Sequence, residues 1–116
     1  MDAADLIRAL ATGNASVSEL AALGVLVEGE VPHLEVTVLA GIPAVQVSPG
    51  ELSLGLLAAW ARSTDLAEWA AVTREVVVLD GEDSPVWEIL MNALWSAAFG
   101  EPIPEEVLAL AQSLAG

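Results

Sequence analysis

The spacing of apolar and polar positions divides the 116-residue chain into a helical beginning, an alternating middle and a long helical end. Asp2 stands where a helix running to about Ala11 needs its N-cap, with Asp5 at the third position, Arg8 in the last turn and Gly13 as the stop. Ser16-Val17-Ser18-Glu19 has the spacing of a capping box, in which the Ser16 hydroxyl accepts from the third-position amide and Glu19 reaches back. Leu20, Ala21 and Leu23 follow, and Gly24 closes this second, short helix.

From Val25 the period drops from helical to alternating. Leu34, Val36 and Val38 point one way and Glu35 and Thr37 the other, as in a strand with one buried face. Val25 and Val27 before it, and Val45 and Val47 after it, continue the alternation. The breaks at Gly29 to Pro32 and at Gly41-Ile42-Pro43 are of hairpin length. The pattern therefore predicts a small three-stranded antiparallel meander over about residues 25–47, with Pro32 and Pro43 at strand ends, where a missing amide donor is tolerated.

Four helices are predicted after the meander. Ser48-Pro49-Gly50-Glu51 provides a cap, a proline at the first position and a glutamate at the third. The helix that follows is apolar nearly all round from Leu52 to Ala61, the composition of a central helix. Asp65 and Glu68 open the next, which sets Leu66, Trp69, Ala70 and Thr73 on one face; its β-branched end, Val76-Val77-Val78-Leu79, suits a buried helical turn and a fourth strand equally. Beyond the acidic turn Asp80 to Asp83, Ser84-Pro85 starts a helix with Trp87, Leu90, Met91, Leu94, Trp95 and Ala98 spaced for one face, and with Glu88, Asn92 and Ser96 as its polar stripe. Gly100 ends it, Pro102 and Pro104 turn the chain, and Glu105 and Glu106 lie in the first turn of a last helix bearing Val107, Leu108, Leu110 and Leu114. The expected fold is α+β in a single domain, 1–116: short N-terminal helices and the meander, packed by a C-terminal four-helix section that supplies most of the core.

Composition narrows the chemistry. Seventeen acids against three arginines and no lysine give a net charge of −14. Such a field repels phosphate backbones and anionic lipid and attracts a basic protein, so neither nucleic acid nor membrane is expected as a partner. The longest stretch without an ionised residue, Val36 to Gly50, is 15 residues and falls short of the ~20 of a membrane-spanning helix. Met1-Asp2-Ala3-Ala4-Asp5 carries negative charge where a secretory leader carries positive charge, so the expected location is the cytoplasm. With no cysteine there is no disulfide, thiolate metal site or cysteine nucleophile.

Other constellations fare little better. Leu6-Ile7-Arg8-Ala9-Leu10 followed by Ser16 to Ala21 resembles the first two helices of a winged-helix DNA-binding domain over about 20 residues. A recognition helix with base-reading side chains should come next; Gly24 and a strand with Glu28 and Glu30 come instead. Arg8, Arg62 and Arg74 each fall near the end of a predicted helix, where they complement its dipole. His33, the only histidine, stands near Glu28, Glu30 and Glu35 without metal-ligand spacing and is read as solvated at a hairpin; the turn at Asp80 lacks the ligand spacing of a calcium loop. No Gly-x-Ser-x-Gly elbow accompanies the eight serines, and no spacing singles out two of the seventeen carboxylates. No catalytic residue, metal or cofactor is expected.

Two features point to binding. Trp69 and Trp87 fit predicted buried faces, whereas Trp60 and Trp95 flank theirs and are candidates for exposure. Seven acids and no base lie between Asp80 and Glu106. The candidate partner-binding set is therefore Asp80, Glu82, Asp83, Glu88, Trp95, Glu101, Glu105 and Glu106. The expected function is stoichiometric, non-catalytic binding to a basic protein; the immunity proteins and antitoxins that block nucleases, and adaptors, are of this physical type, though no motif is shared. The other reading is a structural subunit, an obligate homo-oligomer or a permanent component of a larger assembly, because so much apolar surface has few charges to cover it.

Overall fold

A computed structural model describes residues 2–39, 41–62, 65–79 and 85–116. Helix α1 (Ala3–Ala11) begins as its sequence dictates, with the Asp2 carboxylate accepting the Asp5 amide at 2.8 Å. Ile7, Leu10 and Ala11 form its buried stripe. In α2 (Val17–Leu20) the Glu19 carboxylate accepts the Ser16 amide at 2.9 Å. A single 3-10 turn (Ala21–Leu23) then ends at Gly24, whose φ of +93° is a left-handed conformation that a side chain would strain. Where a winged-helix domain would place its recognition helix, this chain has that short turn and a strand.

The strands correct the predicted meander. Strand β1 (Val25–Glu28) does pair antiparallel with β2 (Glu35–Val38), with Val25 opposite Val38, Val27 opposite Val36 and Glu28 opposite Glu35. Strand β3 (Val45–Val47) does not continue this sheet. It pairs parallel with β4 (Val77–Leu79), Val45 opposite Val77 and Val47 opposite Leu79, so the described residues form two two-stranded sheets. Alternation at Val45 and Val47 reports a buried face; it carries no information on which neighbour pairs, and the partner lies some thirty residues on, across two helices. The run from Val76 to Leu79 takes both of its possible forms, with Val76 ending a helix and the next three residues forming β4.

Helices α3 (Pro49–Arg62), α4 (Leu66–Val76), α5 (Pro85–Ala98) and α6 (Glu105–Ala115) complete the architecture, α4 packing mainly on α5 and α3 on α6. The capping box of α3 is closed on both sides: the Glu51 amide donates to the Ser48 hydroxyl and the Ser48 amide to the Glu51 carboxylate, each at 3.1 Å. Arg8 joins α1 to this corner, donating to Glu51 at 2.9 Å and to the Gln46 carbonyl at 3.0 Å. The second bond occupies a main-chain acceptor of β3. The net effect holds the Glu51 carboxyl below its ordinary value, chiefly through the Ser48 amide; burial opposes this, and the Arg8 guanidinium adds to the lowering.

Helix α4, rather than the more apolar α3, is the central one. Five consecutive residues from Trp69 to Thr73 are buried, while Leu54 and Trp60 of α3 are half-exposed. The Trp69 indole donates to the Leu10 carbonyl at 2.8 Å, satisfying its one polar atom and fixing α1 to α4. Gly55 makes this junction possible. A Cβ there would collide with the Ala11 carbonyl oxygen and lie 2.8 Å from the Trp69 ring. One contiguous cluster runs from Ile7 and Leu10 through Val25, Val45, Val47, Leu52 and Leu56 to Leu90, Leu94 and Ala111.

Candidate protein-binding face

Helix α5 turns Leu90, Ala93, Leu94, Ala97 and Ala98 inward. At 100° per residue its opposite side gathers Glu88, Asn92, Trp95 and Phe99 within about 60° of one another, with Ile89 at the margin. All five are exposed, Trp95 to 49%, Phe99 to 52% and Ile89 to 42%. The stripe thus carries an acid at its N-terminal end and two aromatic rings one turn apart toward its C-terminal end.

Trp95 is held from behind. The Arg74 guanidinium, on α4, lies 3.9 Å from the centre of the indole ring, covering one face and leaving the rest open. Arg74 is itself only 13% exposed, and its Nε and Nη1 have no hydrogen-bond partner among the described residues; the Glu75 carboxylate stands 3.8 Å from Nε, beyond hydrogen-bonding distance. Dipole complementarity at the end of α4 explains the charge of Arg74 but not this stacking, which restricts the ring.

The helix ends in a Schellman motif: the Gly100 amide donates to the Ala97 carbonyl at 2.9 Å and the Glu101 amide to the Ser96 carbonyl at 3.0 Å, with Gly100 at φ +86°. Glu101, whose amide closes the motif, is exposed just past the end of α5. Of the residues singled out in the sequence, Glu88 and Trp95 therefore share the outer face of α5, and Glu101 follows just past its C-terminal end. Glu105 and Glu106 are exposed in the first turn of α6, where the helix dipole accounts for them. Asp80, Glu82 and Asp83 lie outside the described residues. Sequence reasoning missed Phe99 and Ile89, although Phe99 follows Trp95 by four residues and Glu88 by eleven, which is stripe spacing.

The other candidates for chemistry are dispersed. His33 is exposed in the connection between β1 and β2, and no group of three or more histidine, aspartate or glutamate side chains among the described residues is placed to hold a metal ion. A polar groove of about 270 Å³ is lined by residues including Ser16, Glu19, Arg62 and Asp65, but its charges are already engaged: Arg62 with Asp65 at 3.2 Å, Glu19 with the Ser16 amide. Trp60 is exposed, Trp69 fully buried and Trp87 partly buried. Among the described residues no helix is long and apolar enough to cross a membrane. No protein family, curated protein or solved structure matches the chain.

Proposed function

We propose that the protein acts by stoichiometric binding to a basic protein surface through the outer face of α5, in the manner of an immunity protein, antitoxin or adaptor and without catalysis. The observation that carries this reading is the half-exposed Trp95–Phe99 pair, of which Trp95 is stacked on Arg74, in one stripe with Glu88. Aromatic rings held rigid in an exposed position are the side chains that anchor interfaces, and the surrounding carboxylates steer a cationic partner toward them. The net charge of −14 supplies the long-range part of that attraction.

Placing a photo-crosslinking amino acid at position 95, with the same group at exposed Gln112 on α6 as control, tests the proposal in cells. A basic protein joined from position 95 and absent from position 112 supports it. Self-crosslinking from both positions favours the structural-subunit reading instead, for which the half-exposed Leu54 and Trp60 of α3 are the specific observation. Salt separates the two in solution, since steered binding weakens as ions are added and apolar assembly does not.

A further inference from the structure

A second surface, made of different residues, has the chemistry of a peptide-binding site. In the β1–β2 ladder the Leu39 amide donates to the Gly24 carbonyl at 3.3 Å. Bonded and non-bonded pairs alternate in an antiparallel ladder, so Leu26 and Glu28 exchange bonds with Thr37 and Glu35, and the main-chain groups of Val25 and Val27 point away from β2. Val25 is 1% exposed and closed off; Val27 is partly open. A groove of about 220 Å³ runs along this side, lined by Val25, Leu26 and Val27 and also by Val17, Ser18, Ala21 and Glu68. Three consecutive strand residues belong to alternate faces of a sheet, so a groove that touches all three lies at the strand's edge. No β2 residue lines it.

This edge differs from that of β3, whose Gln46 carbonyl is occupied by Arg8. At β1 the groove offers an unused donor and acceptor on Val27, walls that are apolar except for Ser18, and a carboxylate, Glu68, that makes no ion pair among the described residues. Glu28 adds a second negative charge at the end of the strand, and no lysine or arginine lines the groove. We propose that the open edge of β1 receives a short extended segment of a basic polypeptide, which adds as a third strand, exchanges main-chain hydrogen bonds with Val27 and sets a lysine or arginine against Glu68. A second copy of this chain is the poorer occupant, because its own charge of −14 opposes approach. The site shares no residue with the α5 face and stands without it.

The test is titration of the full ¹⁵N-labelled chain with the blocked pentapeptide acetyl-Val-Lys-Val-Lys-Val-amide, followed by amide shifts and hydrogen exchange. The Val27 amide should shift and its exchange slow at least about tenfold at saturation. Val27→Pro removes the outward-pointing donor and none of the ladder donors, and should abolish binding; Glu68→Lys should weaken it at least about tenfold without touching the main chain. Trp95→Ala should leave the titration unchanged, so failure of the α5 reading and failure of this one are distinguishable. Equal binding to Val27→Pro and the unaltered chain, equal binding of a Val-Glu peptide, shifts confined to α5, or peptide-independent dimers that protect Val27 would each overturn the proposal.

Discussion

Trp69 and Trp95 lie on helices packed against each other, yet the two indoles meet opposite fates. Trp69 is fully buried, with Gly55 making room for its ring and the Leu10 carbonyl taking its N–H. Trp95 is half in water, with a guanidinium beneath it. The first has every requirement of a core residue met within the chain. The second meets only half of them, and on the proposed reading the open half is where a partner would sit. The contrast teaches that hydrophobic content alone does not mark a core: α5 is more apolar than α4, and it is α5 that keeps aromatic rings outside.

Substitution sharpens the contrast most at Trp69. Trp69→Ala should cost about 3–5 kcal/mol in urea unfolding, from the cavity and the lost bond to the Leu10 carbonyl, whereas Trp95→Ala should cost under about 1 kcal/mol. Equal losses would mean that Trp95 belongs to the core after all. Gly55→Ala comes next, at about 1–3 kcal/mol, because a methyl group there must push α3 off the Ala11 carbonyl and the Trp69 ring; unchanged thermal stability would show that the junction around Trp69 is looser than described.

Smaller effects probe the frame around the buried indole. Glu51→Gln should lower stability by about 1 kcal/mol at neutral pH, through the α3 cap and the tie from Arg8. The sign of its pH dependence is fixed. Since the folded carboxyl titrates below the unfolded one, the unfolded chain binds more protons in the interval between, and the contribution present at neutral pH is lost as pH falls through the folded value. The variant and the parent chain should therefore converge in acid, which paired unfolding curves at neutral and acid pH will show. Thr73, one residue before Arg74, is buried with no partner for its hydroxyl among the described residues. Thr73→Val should raise the midpoint of unfolding by the equivalent of about 1 kcal/mol, and a loss would reveal a bond to that hydroxyl.

Local signals in the sequence translated faithfully. Asp2, Glu19, Ser48 with Glu51, Gly24 and Gly100 each act as the cap or stop that their spacing implies, because such contacts span only a few residues. What failed was long-range. The valines at 45 and 47 advertised a buried strand, but their partner at Val77 could not be read from alternation, and an α3 apolar all round was mistaken for the centre of the molecule because periodicity does not say how neighbours are shared. For the candidate site, Glu88 and Trp95 were legible from spacing, Phe99 was overlooked beside its helix stop, and the Arg74–Trp95 stack joins two helices whose relative placement no local pattern encodes.

The central claim, recognition of a basic protein through the α5 face, is tested most directly by association kinetics with the protein crosslinked at position 95, across a range of salt and for Trp95→Ala beside the unaltered chain. The expected result is an on-rate that falls at least about tenfold from low to high ionic strength, together with an off-rate raised at least about tenfold by Trp95→Ala. An on-rate indifferent to salt, with an off-rate that ignores Trp95, would contradict it.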